Sequence, residues 1–310
     1  MLKRHSIGSF LLLAFGSTWL VAGIGAAMGI SASSGMPYMV LAATCMLMPA
    51  LAAVVQHRFI DGAPWGALGL QLHRVRWGWL ALTALVAAAI VPLVLGVAHA
   101  LGDVAGIGAF GHASLGQDRL RAGMQEVAAA TGQVLPATAL EKVATVPGVV
   151  VLLVGLLGAA FAACTANLPF MLGEELGWRG YLYDRTGGWS VQRRVLFTGV
   201  VWGIWHAPLI LMGHNYPDHP YLGVVLMVVF CTLLAYLFDW SRTRVNSVWG
   251  PCTLHGMING SAGLFALFAW GGHPLVNTPV GVAGFIALAV LCLCVWLLDG
   301  HGRRAAVTLA

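Results

Sequence analysis

An all-α, polytopic membrane protein of about eight transmembrane helices is the fold class this sequence predicts. Three observations lead there. Of the 310 residues, 59% are hydrophobic and only 9% are charged, whereas soluble domains carry about a quarter charged residues. The mean hydropathy is +0.84. Apolar runs close to bilayer length, about 20 residues, recur at 7–30, 36–56, 78–100, 148–172, 195–213, 221–240, 248–271 and 280–298. These runs are continuous and do not alternate, which argues against the strands of a membrane barrel.

Taken in order, the first run follows a basic start, Lys3 and Arg4. Its apolar stretch, Ile7 to Ile30, is too long for the core of a signal peptide and suits a retained span. With the N-terminus placed inside, the inner segments hold 13 of the 16 lysines and arginines: Lys3, Arg4, Arg58, Arg74, Arg76, Arg179, Arg185, Arg193, Arg194, Arg242, Arg244, Arg303 and Arg304. The outer segments hold 3, namely Arg119, Arg121 and Lys142. That bias predicts both termini in the cytoplasm and an even number of spans. A compact chain without long tails suggests a bacterial cytoplasmic membrane.

The net charge is +5, but the basic residues are scattered and form no stripe, so nucleic acid is not the expected partner. The lipid bilayer is. The inner loop Gln56–Trp77 mixes arginine with Trp65, Leu68 and Leu70, a composition that predicts contact with the membrane surface. The outer segment Leu101–Pro147 reads as a connector with a short helix around Arg119–Ala130. The six cysteines, Cys45, Cys164, Cys231, Cys252, Cys292 and Cys294, fall in apolar runs without metal-site spacing and read as buried free thiols. No internal repeat is visible. Residues 1–310 are expected to form one membrane domain.

Ionisable groups inside such segments are expensive and point to function. Three polar pairs occur at helical spacing: Glu175 with Arg179, Trp202 with His206, and His255 with Asn259. Residues four apart share a helix face, so Glu175 and Arg179 can pair. Glu174 points roughly 100° away and stays available for chemistry. Pro208 follows His206 and predicts a kink that makes room for water there. Glycines beside His255 and Asn259 allow a close helix approach, and an imidazole with a carboxamide can donate to a developing oxyanion. Together these residues supply a carboxylate, two imidazoles and a carboxamide, sufficient for acid/base chemistry on water. Asp239 reads as an interface anchor and His99 as a snorkelling side chain. His214, Asp218 and His219 read as solvated loop residues.

The ordered set Glu174-Glu175-x-x-x-Arg179, aromatic-x-x-x-His206 and His255-x-x-x-Asn259 resembles the CAAX-protease and bacteriocin-processing family, which includes type II CAAX prenyl endopeptidases and bacterial Abi-type proteins. The motif core covers 174–259, and the run Glu174 to Leu182 is its strongest part. One departure is Trp202, where the family usually has phenylalanine. The resemblance implies an intramembrane endopeptidase of the glutamate type. Glu174 and His206 would activate water, and His255 and Asn259 would hold the oxyanion. Glu175, Arg179 and Trp202 would support them. It implies no bound metal and no other cofactor. The substrate would be a membrane-associated peptide or protein, prenylated in part of the family.

Two other readings fit the same residues. One is a metallohydrolase holding zinc through Glu174, His206 and His255; no HExxH is present. The other is a non-enzymatic immunity, scaffold or transport protein that keeps the motifs.

Overall fold

The fold is known from a computed structural model. It describes residues 2–64, 68–130, 132, 134 and 136–308, without side chains at 2–5, 137, 139, 144 and 300–308. Trp65, assigned above to the surface loop, lies outside the described residues. So do the side chains of Lys3, Arg4, Arg303 and Arg304.

In chain order the helices are α1 (Leu2–Ala27), α2 (Met36–Val54), α3 (Trp77–Ala88), α4 (Ile90–Ala98), α5 (Gln117–Ala130), α6 (Ala137–Ala144), α7 (Gly148–Cys164), α8 (Leu168–Glu175), α9 (Tyr183–Arg185), α10 (Val191–Trp205), α11 (Ala207–Leu211), α12 (Pro220–Val245), α13 (Trp249–Phe268) and α14 (Val282–Thr308). Among the described residues, five helical stretches are long and apolar enough to cross a membrane: Ser6–Ala27, Met36–Ile60, Trp77–Val104, Pro220–Val245 and Val282–Asp299. Gly148–Cys164 and Leu168–Arg185, bent by 64°, make a sixth if they form one broken span. The chain is therefore a predominantly α-helical polytopic membrane protein. The other two apolar runs became α10 with α11, and α13. The first is interrupted at His206, and the second is made more polar by Thr253, His255, Asn259 and Ser261.

The helices gather into two compact units, Met1–Ala84 with Ala163–Gly256, and Leu85–Ala162 with Met257–Ala310. In the first, glycine sets the spacing of α10 against α12. A β-carbon on Gly199 would lie 2.5 Å from Thr232 Cα, and one on Gly203 would lie 2.5 Å from Val228 Cα. Only hydrogen fits there, so the two backbones meet and Trp202 reaches Phe238 on α12. Gly256 does the same for α13: a β-carbon there would lie 2.8 Å from Ala163 Cα. Asn167, at the bend between α7 and α8, donates to the Gly256 carbonyl at 3.1 Å, which fixes the stretch of α13 that presents His255. Trp178 and Trp205 are each 1% exposed and pack edge to face.

The loop ahead of α3 departs from the sequence expectation. Leu68 is fully buried, and Leu70 packs with Met171, Val248 and Cys252. The Gly69 carbonyl accepts from Ser247 Oγ at 2.7 Å and from Val248 N at 3.0 Å. These apolar residues serve the junction of α12 and α13 and do not face outward. Among the described residues of that region, Phe59, Ile60, Leu72 and Trp77 are exposed apolar side chains.

In the second unit, the segment expected to be a connector is built around α5. Arg119 is 9% exposed and donates to the carbonyls of Ala266, Leu267 and Ala269 at the end of α13. A two-stranded antiparallel ladder pairs β1 (His112–Ala113) with β2 (Ala269–Trp270). Asp103 accepts from His99, His112 and the Ala113 amide, so His99 is tethered and not simply extended into water. All six cysteines are free; Cys45, Cys231 and Cys252 are buried, while Cys164 and Cys294 are exposed on apolar helices. Asp239 is held by Arg194 through both carboxylate oxygens.

Candidate active site

Helix α8 ends at Glu175, and the chain continues as a wider π-type turn over Leu176–Leu182. Such turns are frequent at functional sites, because the looser coil re-aims side chains at some cost in hydrogen bonding. Glu174 and Glu175 close α8 and Arg179 lies in the turn that follows; they are 2%, 0% and 2% exposed.

Glu175 and Arg179 pair as their spacing predicts. Arg179 Nη1 donates to both Glu175 oxygens at 3.1 Å. The guanidinium carbon lies 4.3 Å from the Trp202 ring centre and 4.0 Å from that of Phe238. A buried cation needs an anion and further favourable partners to persist; Glu175 and the two rings provide them.

His255 Nδ1 lies 2.8 Å from Glu175 Oε1. An ionised carboxylate only accepts, so this nitrogen carries the proton. For His255 to donate from Nε2 as well, the ring must hold both protons. Asn259 stands one helical turn further along α13, within the second unit, with an exposed side chain.

Glu174, which the sequence leaves available for chemistry, has a hydrogen-bond partner in the fold. Trp202 Nε1 donates to its Oε2 at 2.9 Å. The carbonyl of the same tryptophan lies 2.8 Å from His206 Nδ1. A carbonyl has no proton to give, so Nδ1 of His206 is the N–H, and in the neutral ring Nε2 keeps its lone pair. His206 sits at the break between α10 and α11, where Pro208 begins the new helix, in line with the predicted kink.

Trp202 is the centre of this cluster. Its ring centre lies 5.5 Å from that of His206, 5.6 Å from His255 and 5.2 Å from Phe238. The rings of both histidines therefore border one tryptophan. Cys231 Sγ is 3.9 Å from His206 Nδ1. Sequence reasoning missed Phe238 and the bond from His255 to Glu175. A lone phenylalanine in an apolar helix carries no spacing signal, and the His255 contact joins residues 80 positions apart.

The zinc reading requires Glu174, His206 and His255 to converge as ligands. Among the described residues, no three His, Cys, Asp or Glu side chains are grouped to hold a metal ion. One nitrogen of each imidazole is engaged by a protein acceptor, which leaves the other for a different partner.

Residues 146–261 match the family described as type II CAAX prenyl endopeptidase Rce1-like. Over this segment the chain is similar to the Rce1-like family. Every site residue named above, from Glu174 to Asn259, lies inside the Rce1-like match. Over 44 residues the chain is 41% identical to CAAX prenyl protease 2 of Methanococcus maripaludis, covering 14% of this chain and 16% of that relative. The chain thus matches about a sixth of the relative's own length, 16%.

Proposed function

We propose that this protein is an intramembrane endopeptidase of the CAAX type, cutting a peptide bond near the cytoplasmic face of the membrane. The observation that carries the reading is the pair of contacts made by Trp202. They orient the Glu174 carboxylate and set the His206 tautomer, leaving Glu174 Oε1 and His206 Nε2 to act on water.

The chemistry follows from those atoms. A water molecule bound between them gives a proton to Glu174 as its oxygen attacks the carbonyl carbon. The tetrahedral oxyanion is stabilised by His255 Nε2–H, with the ring carrying both protons, and by the Asn259 carboxamide, which helix periodicity puts one turn on. The proton then passes to the amide nitrogen, the C–N bond breaks, and a carboxylic acid and an amine leave. Glu175 and Arg179 hold His255 and the π-type turn in place. No step calls for a metal. The excess of lysine and arginine on one side supports cytoplasmic termini. The chain acts in this reading as one membrane domain, and its substrate is a membrane-associated peptide or protein, prenylated or not.

The test is cleavage by purified protein in proteoliposomes. Peptides ending in cysteine, two aliphatic residues and a variable last residue are offered with and without a prenyl group. Cleavage lost in Glu174→Gln and in His206→Ala, and kept in the presence of a strong chelator, is the expected result. Cleavage that survives both substitutions rejects the assignment. Loss under chelation with recovery on added zinc would restore the metallohydrolase, and no cleavage of any peptide would favour a non-enzymatic role.

A further inference from the structure

We propose that Trp202 is a positioning residue: its indole N–H selects which oxygen of Glu174 faces the water, while its own carbonyl fixes His206. This rests on the function proposed above and deepens it, because it makes the indole N–H, and not the packing of the ring, what holds one oxygen of Glu174.

The indole nitrogen is a donor only, and it lies 2.9 Å from Glu174 Oε2. The bond occupies one carboxylate oxygen with a neutral partner, so the charge is held without being cancelled. A buried carboxylate without donors is strongly disfavoured, and Glu174 is 2% exposed. The ring cannot swing away. It is itself 2% exposed, lies edge-on to Phe238 at 67° and to His255 at 78°, and has the Arg179 guanidinium 4.3 Å from its centre. Packing therefore locks the indole, and the indole locks the carboxylate. Phenylalanine would keep an aromatic ring there and lose the donor.

The contact joins two halves of one catalytic pair through a single residue. The side chain of Trp202 reaches across 28 positions to Glu174, and its carbonyl reaches one turn along to His206. Any shift of α10 moves both together. The separation between the carboxylate and the imidazole is thereby preserved, which is what shared activation of one water requires.

Two variants isolate the donor. Trp202→Phe removes it with part of the ring. Replacement of Trp202 by its benzothienyl analogue, in which sulfur stands for the N–H, removes it alone. In the peptide cleavage assay both are expected to lower kcat by about 10- to 100-fold, the scale of a small misplacement of a catalytic group, with KM changed by less than about twofold. A benzothienyl protein with native kcat overturns the proposal, because packing alone would then suffice. A loss that falls on KM does so as well.

A second measurement does not depend on turnover. The indole N–H resonance that disappears in Trp202→Phe is expected to move upfield in Glu174→Ala, as its carboxylate acceptor is lost. A resonance that stays in place shows that the contact does not exist and overturns the inference whatever the cleavage assay gives. A protein with the expected resonance shift but no cleavage of any peptide defeats the proposed function, and with it a catalytic purpose for the contact.

Discussion

Glu175 Oε1 accepts a hydrogen bond from His255 Nδ1 at 2.8 Å, across 80 residues of sequence. The same carboxylate takes both of its 3.1 Å bonds from Arg179. Glu175 is therefore the anion of a buried cluster that joins the π-type turn to α13. Removing one partner of a buried ion pair leaves the other charged and desolvated, at about 3–5 kcal/mol. Glu175→Ala should lose that much folding stability, measured by reversible unfolding in mixed micelles. Glu175→Gln keeps the volume and one acceptor and should lose less. Equal stability of the alanine variant and the native protein would show that the cluster does not hold the fold.

His206 tests the acid/base assignment separately from the fold. It is half-buried at the break between α10 and α11, so His206→Ala should leave the melting temperature near the native value. The cleavage rate should fall by about 10²- to 10⁴-fold, the usual contribution of a general acid/base. If kcat/KM stays within about a factor of ten of native, the imidazole does not share in activating the water.

Asn259→Ala should reduce kcat with little change in KM, because an oxyanion donor acts in the transition state. The exposed side chain at this position implies no large loss of stability. A KM effect alone would assign Asn259 to substrate binding.

Much of the site was legible because helix periodicity is local. Glu175 with Arg179, and Trp202 with His206, are each one turn apart, and the structure pairs them as spacing requires. The break at His206 was readable from Pro208. The indole bond to Glu174, the His255 bond to Glu175 and the rings around Arg179 were not, since each depends on how separate helices meet. The clue to that meeting was present in Gly199, Gly203 and Gly256, small residues that let backbones touch, but small residues do not name their partner. The span count suffered for a related reason. Polarity that builds a site lowers the apolar signal of the helices that carry it, as in α13. The apolar loop residues Leu68 and Leu70 look the same in sequence whether they face lipid or a neighbouring helix.

A pH-dependent stability contribution sits at Asp61, directly after the helical stretch Met36–Ile60. Burial pushes its carboxyl up, but hydrogen bonds from Tyr181 and Gln56, the Arg185 charge and the Ser6 hydroxyl outweigh it, so the net shift is downward. The contacts are short: 2.7 Å to Tyr181 Oη, 2.6 Å to Arg185 Nη2 and 3.0 Å to Gln56 Nε2. A carboxyl lowered by folding contributes stability that is fully present above its unfolded value, about 3.9, and is lost as the pH falls through its lower folded value. Asp61→Asn should therefore melt below the native protein at neutral pH, and the gap should close in acid. A gap independent of pH would assign the effect to shape and not to charge.

Arg119 and Glu126 form an ion pair whose two sides should respond very differently. Arg119 Nη1 and Nη2 lie 2.9 and 2.7 Å from the Glu126 oxygens, and the side chains are 8% and 59% exposed. The glutamate is thus well solvated, and an exposed partner of this kind contributes about 0–1 kcal/mol. The arginine also closes the end of α13, donating to the carbonyls of Leu267, Ala266 and Ala269 at 3.2, 2.9 and 3.1 Å. Its removal leaves acceptors without a donor, at about 1–3 kcal/mol for each one kept from water. Glu126→Gln should hardly move the melting temperature, whereas Arg119→Met should lower it clearly and loosen the last turn of α13. Amide exchange in α13 gives the second readout, with the turn at Leu264–Phe268 losing protection in the arginine variant only. Equal effects of the two substitutions would mean that the ion pair, and not the cap, is what Arg119 provides.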